Sequence, residues 1–150
     1  MAYLVFCALC HKAVTDQDSN QLSLLDVVEQ VQVEVREKLI GGGLVPMPAQ
    51  LATFWTRSDY NVPEKIHARL RLLGPSNALV GSAAFEVDLE AKPNYRAVLK
   101  LQGLPVSDSG RFWFLVESEN ADDTWSERGR FPLDVTINER LNTPDSAVQA

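Results

Sequence analysis

The sequence predicts an all-β fold, an antiparallel β-sandwich of about eight strands. Three observations carry that reading. The first is the stretch Leu99 to Val116, LKLQGLPVSDSGRFWFLV, in which Leu99, Leu101 and Leu104 precede a turn-forming run and Phe112, Phe114 and Val116 follow it. The run is Ser107-Asp108-Ser109-Gly110, residue types that favour tight turns. Side chains two positions apart share one face of a strand, so both flanks offer an apolar face to a common core. The second observation is that similar alternations recur at short intervals, each bounded by turn residues, as in sandwiches. The third is size: 150 residues, 45 % of them hydrophobic, suit one domain with a substantial core. The domain is read as residues 1–138, followed by a flexible tail over 139–150 with little apolar content.

The elements follow in order. Tyr3 to Val14 reads as a strand, Asp16 to Asn20 as a turn, and Leu22 to Val28 as the return strand of one long hairpin. Val31, Val33 and Val35 alternate with polar residues and favour a strand, although Leu24, Val28, Val31, Val35 and Leu39 also fit a helical stripe. A short helical turn is expected at Glu37-Lys38. Gly41-Gly42-Gly43 with Pro46 and Pro48 reads as a mobile loop, and lacks the Gly-Lys-Ser/Thr of a phosphate loop. Gln50 to Arg57 is a strand carrying Leu51, Phe54 and Trp55. Ile66 to Leu72 is half-buried with a basic outer row, His67, Arg69 and Arg71; Leu79 to Leu89 returns with the acidic row Glu86, Asp88 and Glu90. If these two strands pair, Arg69 and Arg71 face the acids, each exposed pair contributing roughly 0.2–1 kcal/mol. Residues 95–105 and 110–118 flank the Ser107–Gly110 turn, Glu119 to Asp123 is an acidic turn, and Trp125 to Ile137 is the last strand.

Twenty acidic residues against 14 basic give a net charge of −6. That balance argues against nucleic acid or an anionic membrane as the main partner. The apolar N-terminus MAYLVFCALCHK lacks the basic region and cleavage site of a signal peptide, and no apolar run is long enough to span a bilayer, so a cytoplasmic location is expected. Two cysteines make no disulfide framework.

The pattern Leu99-x-Leu101-x-x-Leu104-x-x-x-Asp108-Ser109-Gly110-x-Phe112-x-Phe114 resembles the immunoglobulin-type E–F corner, which implies an immunoglobulin-like sandwich. The family usually has Tyr where Phe112 stands and Cys where Phe114 stands, so the corner's hydroxyl bond and the inter-sheet disulfide are absent. Over residues 3 to 136 the chain also resembles small bacterial single-domain proteins of unknown function, through Phe6-Cys7, the turn Asp16 to Asn20, and Leu22-Ser23-Leu24-Leu25. That resemblance implies one sandwich domain and no established activity.

Four constellations suggest chemistry. Cys7-Ala8-Leu9-Cys10-His11 matches the haem-attachment spacing, but covalent haem needs an export route. Cys7, Cys10, His11 and His67 have the ligand types for zinc, yet residues 7 and 10 of a regular strand face opposite ways. A redox Cys-x-x-Cys fails on the same ground, since such motifs open a helix. Asp16-x-Asp18-x-Asn20 starts like a calcium loop, but Gln21 replaces the required Gly and Val27 the bidentate Glu; Asp16, Asp18, Asp108, Asp122 and Asp123 gathered at one end would be the remaining route to calcium. With only two histidines and no nucleophile–base spacing, no catalytic residue and no cofactor is expected.

The aromatics say more. If Phe112 and Phe114 point inward, Trp113 points outward beside Arg111, and exposed Trp is common at binding surfaces. Trp55, Arg111, Trp113 and Trp125 are therefore the expected binding surface, unless the N-terminal hairpin or the 37–48 loop covers Trp113. The expected function is a non-catalytic protein-interaction or scaffold module, its partner another protein or a second copy. A zinc-binding regulator and a carbohydrate-binding sandwich through Trp55, Trp113 or Trp125 are the alternatives.

Overall fold

A computed structural model of the chain describes residues 2–35, 43–106 and 108–139. Nine strands run in order: β1 Tyr3–Thr15, β2 Leu22–Val27, β3 Gln30–Val35, β4 Gly43–Thr56, β5 Glu64–Leu73, β6 Leu79–Leu89, β7 Asn94–Val106, β8 Gly110–Glu119 and β9 Trp125–Glu139. They form a four-stranded sheet, β2-β1-β4-β7, and a five-stranded sheet, β3-β9-β8-β5-β6. The fold is all-β. Among the described residues no helix is long and apolar enough to cross a membrane.

The alternations place the core as the period of two requires. Leu9, Leu51 and Trp55 of one sheet meet Leu70, Val87, Phe112, Phe114, Val116 and Leu133 of the other, all buried. The β7–β8 connection passes between sheets, and both flanks of the Leu99–Val116 stretch do point into one core. Gly110, with φ 143, makes the crossing. A Cβ there would lie 2.8 Å from the Pro75 Cβ, so only glycine fits the turn without displacement.

Three expectations are corrected. First, the sandwich is not wholly antiparallel: β3 pairs in parallel with β9, Val31 opposite Val135 and Val33 opposite Ile137. Val28 N still donates to Leu9 O, while Asp134 N already donates to Glu29 O. Two residues thus carry the chain from one sheet to the other, and β3 joins β9 instead of folding back on β2. Second, the Gly-Pro stretch is not a loop from Gly43 onward, since β4 begins there. Its register with β7 shifts between Pro46 and Ala49, a bulge of the kind that tolerates proline. Glu37, Lys38, Gly41, Gly42 and the tail over 140–150 lie outside the described residues.

Third, the hairpin over residues 3–28 does not zip along its length. β1 pairs with β4 over Tyr3 to Cys10, then with β2 over Cys10 to Thr15. At its tip Asp16 Oδ1 accepts from the Asp18 and Ser19 amides at 2.8 and 2.9 Å, an Asx turn and not an ion loop. The hairpin folds back over the outer face of the four-stranded sheet, where Arg96 Nη2 donates to Asn20 O at 2.8 Å.

Candidate functional site

The outer face of the five-stranded sheet carries three of the four residues expected to bind. Trp113 lies between two guanidinium groups, with Arg111 Cζ 5.5 Å and Arg130 Cζ 5.1 Å from its ring centroid. Arg111 Nε and Nη2 donate to the two oxygens of Asp134 at 2.7 and 3.0 Å. That bidentate contact holds the Asp134 carboxyl below the usual carboxylate range. Arg130 bonds Glu127. Toward the far end, Arg69 Cζ lies 4.2 Å from the Trp125 ring centroid and Arg69 Nε donates to Glu117 Oε1 at 2.7 Å. Trp113 and Trp125 are six residues apart in the β8 register, about 20 Å along the sheet, so they do not share one hollow.

This face answers its own charges. The sequence places Arg69 and Arg71 against the β6 acids, but in the β5–β6 register they oppose Ala84 and Ser82. Their anion is instead Glu117 on β8, whose side chain is only 10 % exposed and lies 3.7 Å from Arg71 Nη1. Trp55, the fourth expected residue, is not on a surface at all: it is fully buried in the core. Its Nε1 donates to Thr53 Oγ1 at 2.9 Å, and Thr53 Oγ1 donates to Ala97 O at 2.8 Å.

The expected metal ligands are not brought together. Cys7 and Cys10 lie on β1 in one sheet, and His67 on β5 in the other, beside Glu86 at 3.8 Å. Among the described residues no three His, Cys, Asp or Glu side chains converge, the loop aspartates included. Asp122 instead caps its own turn through the Thr124 hydroxyl and amide, which lowers its pKa. Cys10 Sγ approaches Gln50 O at 3.5 Å, and burial pushes the Cys7 thiol up to about 11. Both thiols should therefore resist iodoacetamide at neutral pH until the chain unfolds. Mass spectrometry of native and urea-treated samples checks this; rapid adducts on native protein would place a thiol at the surface.

The four-stranded sheet presents a different surface. Phe6 and Phe54 stack at 5.7 Å on its outer face. With Val5, Leu22 and Leu24 from the folded-back hairpin, and with Gln21 and Arg96, they line an open trough of about 570 Å³. A second hollow of about 380 Å³ continues past Phe54 and Arg96 to Lys92 and Asn94. Tyr3, Val5, Leu25, Val27 and Val98, all on strands of this sheet, are exposed. Among the described residues, Lys12, Lys92, Arg96 and Lys100 form no ion pair, and all lie on β1, β7 or the turn before β7. Arg57, also without one, is held by the carbonyls of Leu89, Tyr60 and Glu90.

The sequence analysis does not single out Phe6 and Phe54, the aromatics of this surface. Once Trp55 faces inward, Phe54 must face outward, and that alternation was readable. The fold-back that brings Leu22 and Leu24 over Phe6 was not, because it joins residues far apart along the chain.

No protein-family model and no curated protein matches the chain. Among solved structures it is similar to CopC from Methylosinus trichosporium OB3b, with a TM-score of 0.41 and 14 % identity, covering 94 % of this chain and 99 % of that one.

Proposed function

We propose that this chain is a non-catalytic protein-interaction module that takes an extended, acidic and apolar segment of a partner protein into the trough under the β1–β2 hairpin. The observation that carries the reading is the contrast between the two outer faces. One sheet pairs Arg69, Arg71, Arg111 and Arg130 with its own carboxylates. The other sets Lys92 and Arg96, which form no ion pair among the described residues, beside an apolar floor. Apolar side chains over Phe6 and Phe54 supply contact area, and carboxylates reaching Lys92 and Arg96 set register and partner choice. The net charge of −6 makes this basic rim a local feature rather than a general one.

The test is fluorescence anisotropy with labelled peptides that alternate acidic and apolar residues, against basic and scrambled controls. Binding to the acidic set is expected, weakening with salt and falling roughly tenfold in Lys92→Glu, about 1.4 kcal/mol. Phe6→Asp, at a position 36 % exposed, should abolish it without unfolding the chain. Equal binding of all peptides, or indifference to both substitutions, would refute the reading. A zinc site finds no converged ligands in support. A sugar-stacking site finds the tryptophans at positions 113 and 125 already flanked by guanidinium groups.

A further inference from the structure

The two sheets end together on one side of the sandwich, where β6 and β7 are the edge strands among the described residues. We infer that this side is a self-association surface, on which two copies pair β6 of each with β7 of the other about a two-fold axis parallel to the strands. The inference does not require the trough to bind a peptide, although the two surfaces share Arg96, which lines the trough and lies on β7.

Four observations meet here. β6 is long, its 11 residues, LVGSAAFEVDL, contain no proline, lysine or arginine, and its first seven, Leu79 to Phe85, carry no charge to guard the edge. The seam is unfinished. Leu70, Leu72, Leu101, Leu104 and Phe114 line an apolar hollow of about 170 Å³ between the edges. Ala83 opposes Leu70 on the inner face of its sheet and is nevertheless exposed. Apolar side chains crowd the same end, with Leu79 51 % and Leu44, opposite Pro105, 70 % exposed.

Charge selects the pairing. The outer row of β6 carries Glu86 and Asp88, and that of β7 carries Arg96 and Lys100. Pairing β6 with β6, or β7 with β7, would set like charges side by side, whereas β6 with β7 sets acid against base. The strands are joined by the short 90–93 turn and run in opposite directions, so a two-fold axis along them makes both new pairs antiparallel. Within one copy Gly81 and Ala83 lie across the seam from Leu101 and Gly103. Keeping that height sets Asp88 beside the partner's Arg96 and Glu86 near the partner's Lys100. The contact is isologous, so it closes at two copies and buries both seams.

The experiment is sedimentation equilibrium of the full chain over a wide concentration range. A concentration-dependent species of twice the 16.7 kDa chain mass is expected. Glu86→Lys and Lys100→Glu should each weaken it about tenfold, and the double charge swap should restore it. Ala83→Arg, at an exposed position, should leave a folded monomer. A monomer at every concentration would overturn the proposal, as would a dimer unmoved by the single charge changes or not rescued by the swap. Ala83 and Glu86 lie on the other sheet, so peptide binding by a strict monomer would reject this inference and leave the proposed function standing.

Discussion

Trp55→Ala is expected to lower the unfolding free energy by about 3–5 kcal/mol, the range for deleting a large buried aromatic. The indole is fully buried, and it meets Phe85 of the facing sheet edge-on at 6.4 Å between ring centroids. The substitution removes contact between the layers and leaves a cavity that neighbouring strands cannot collapse to fill. It also frees Thr53, whose hydroxyl both accepts from the indole and donates to Ala97 O. Thr53→Val, which keeps the volume and strands the indole N–H, should cost about 1–3 kcal/mol. Urea titration followed by far-UV circular dichroism measures both. A loss below about 1 kcal/mol for Trp55→Ala would place the indole outside the core.

Glu117→Ala should cost about 1.5–3 kcal/mol, the scale of hydrogen bonds to a charged group. Its carboxylate is nearly enclosed and is the common anion for Arg69 and Arg71, which share one face of β5. Without it two guanidinium groups face each other with no counter-ion, and the Arg69 contact with Trp125 loses its anchor. The arginines are about one-third exposed, so water screens part of that repulsion and the loss stays below that of a fully buried pair. Glu117→Gln, which retains an acceptor, should cost less than Ala. Added salt should shrink the deficit of the alanine variant. If alanine and glutamine are equally neutral in urea titrations, Glu117 is not the centre of this network.

The sequence showed its strands plainly because their alternation is strong. Phe112, Phe114 and Val116 face inward as their period requires, and Leu133 and Val135 do the same on β9. It was weaker where a backbone choice depended on a distant partner. Nothing local separates a parallel from an antiparallel neighbour for Val31 and Val33; the crossing at Val28-Glu29 decides it. The proline-containing start of β4 resembled a loop because proline is normally excluded from ladders, and the bulge before Ala49 is what admits it.

The candidate site was legible only in part. Trp113 and Arg111 were correctly expected side by side on an outer face, but the acids that engage that face, Asp134 and Glu127, lie on another strand. Trp55 was misplaced because Phe54-Trp55 offers two phases, and the larger ring took the core. The trough requires β1 to leave one ladder and enter another at Cys10, which no local pattern encodes.

Amide chemical-shift mapping during titration with an acidic, apolar peptide shows whether the four-stranded sheet is the binding face. Perturbations clustered at Phe6, Leu22, Leu24, Phe54 and Arg96 are predicted, with the Trp113 and Trp125 indole signals unmoved. Perturbations centred on those two indoles, with the trough silent, would place binding on the five-stranded sheet instead.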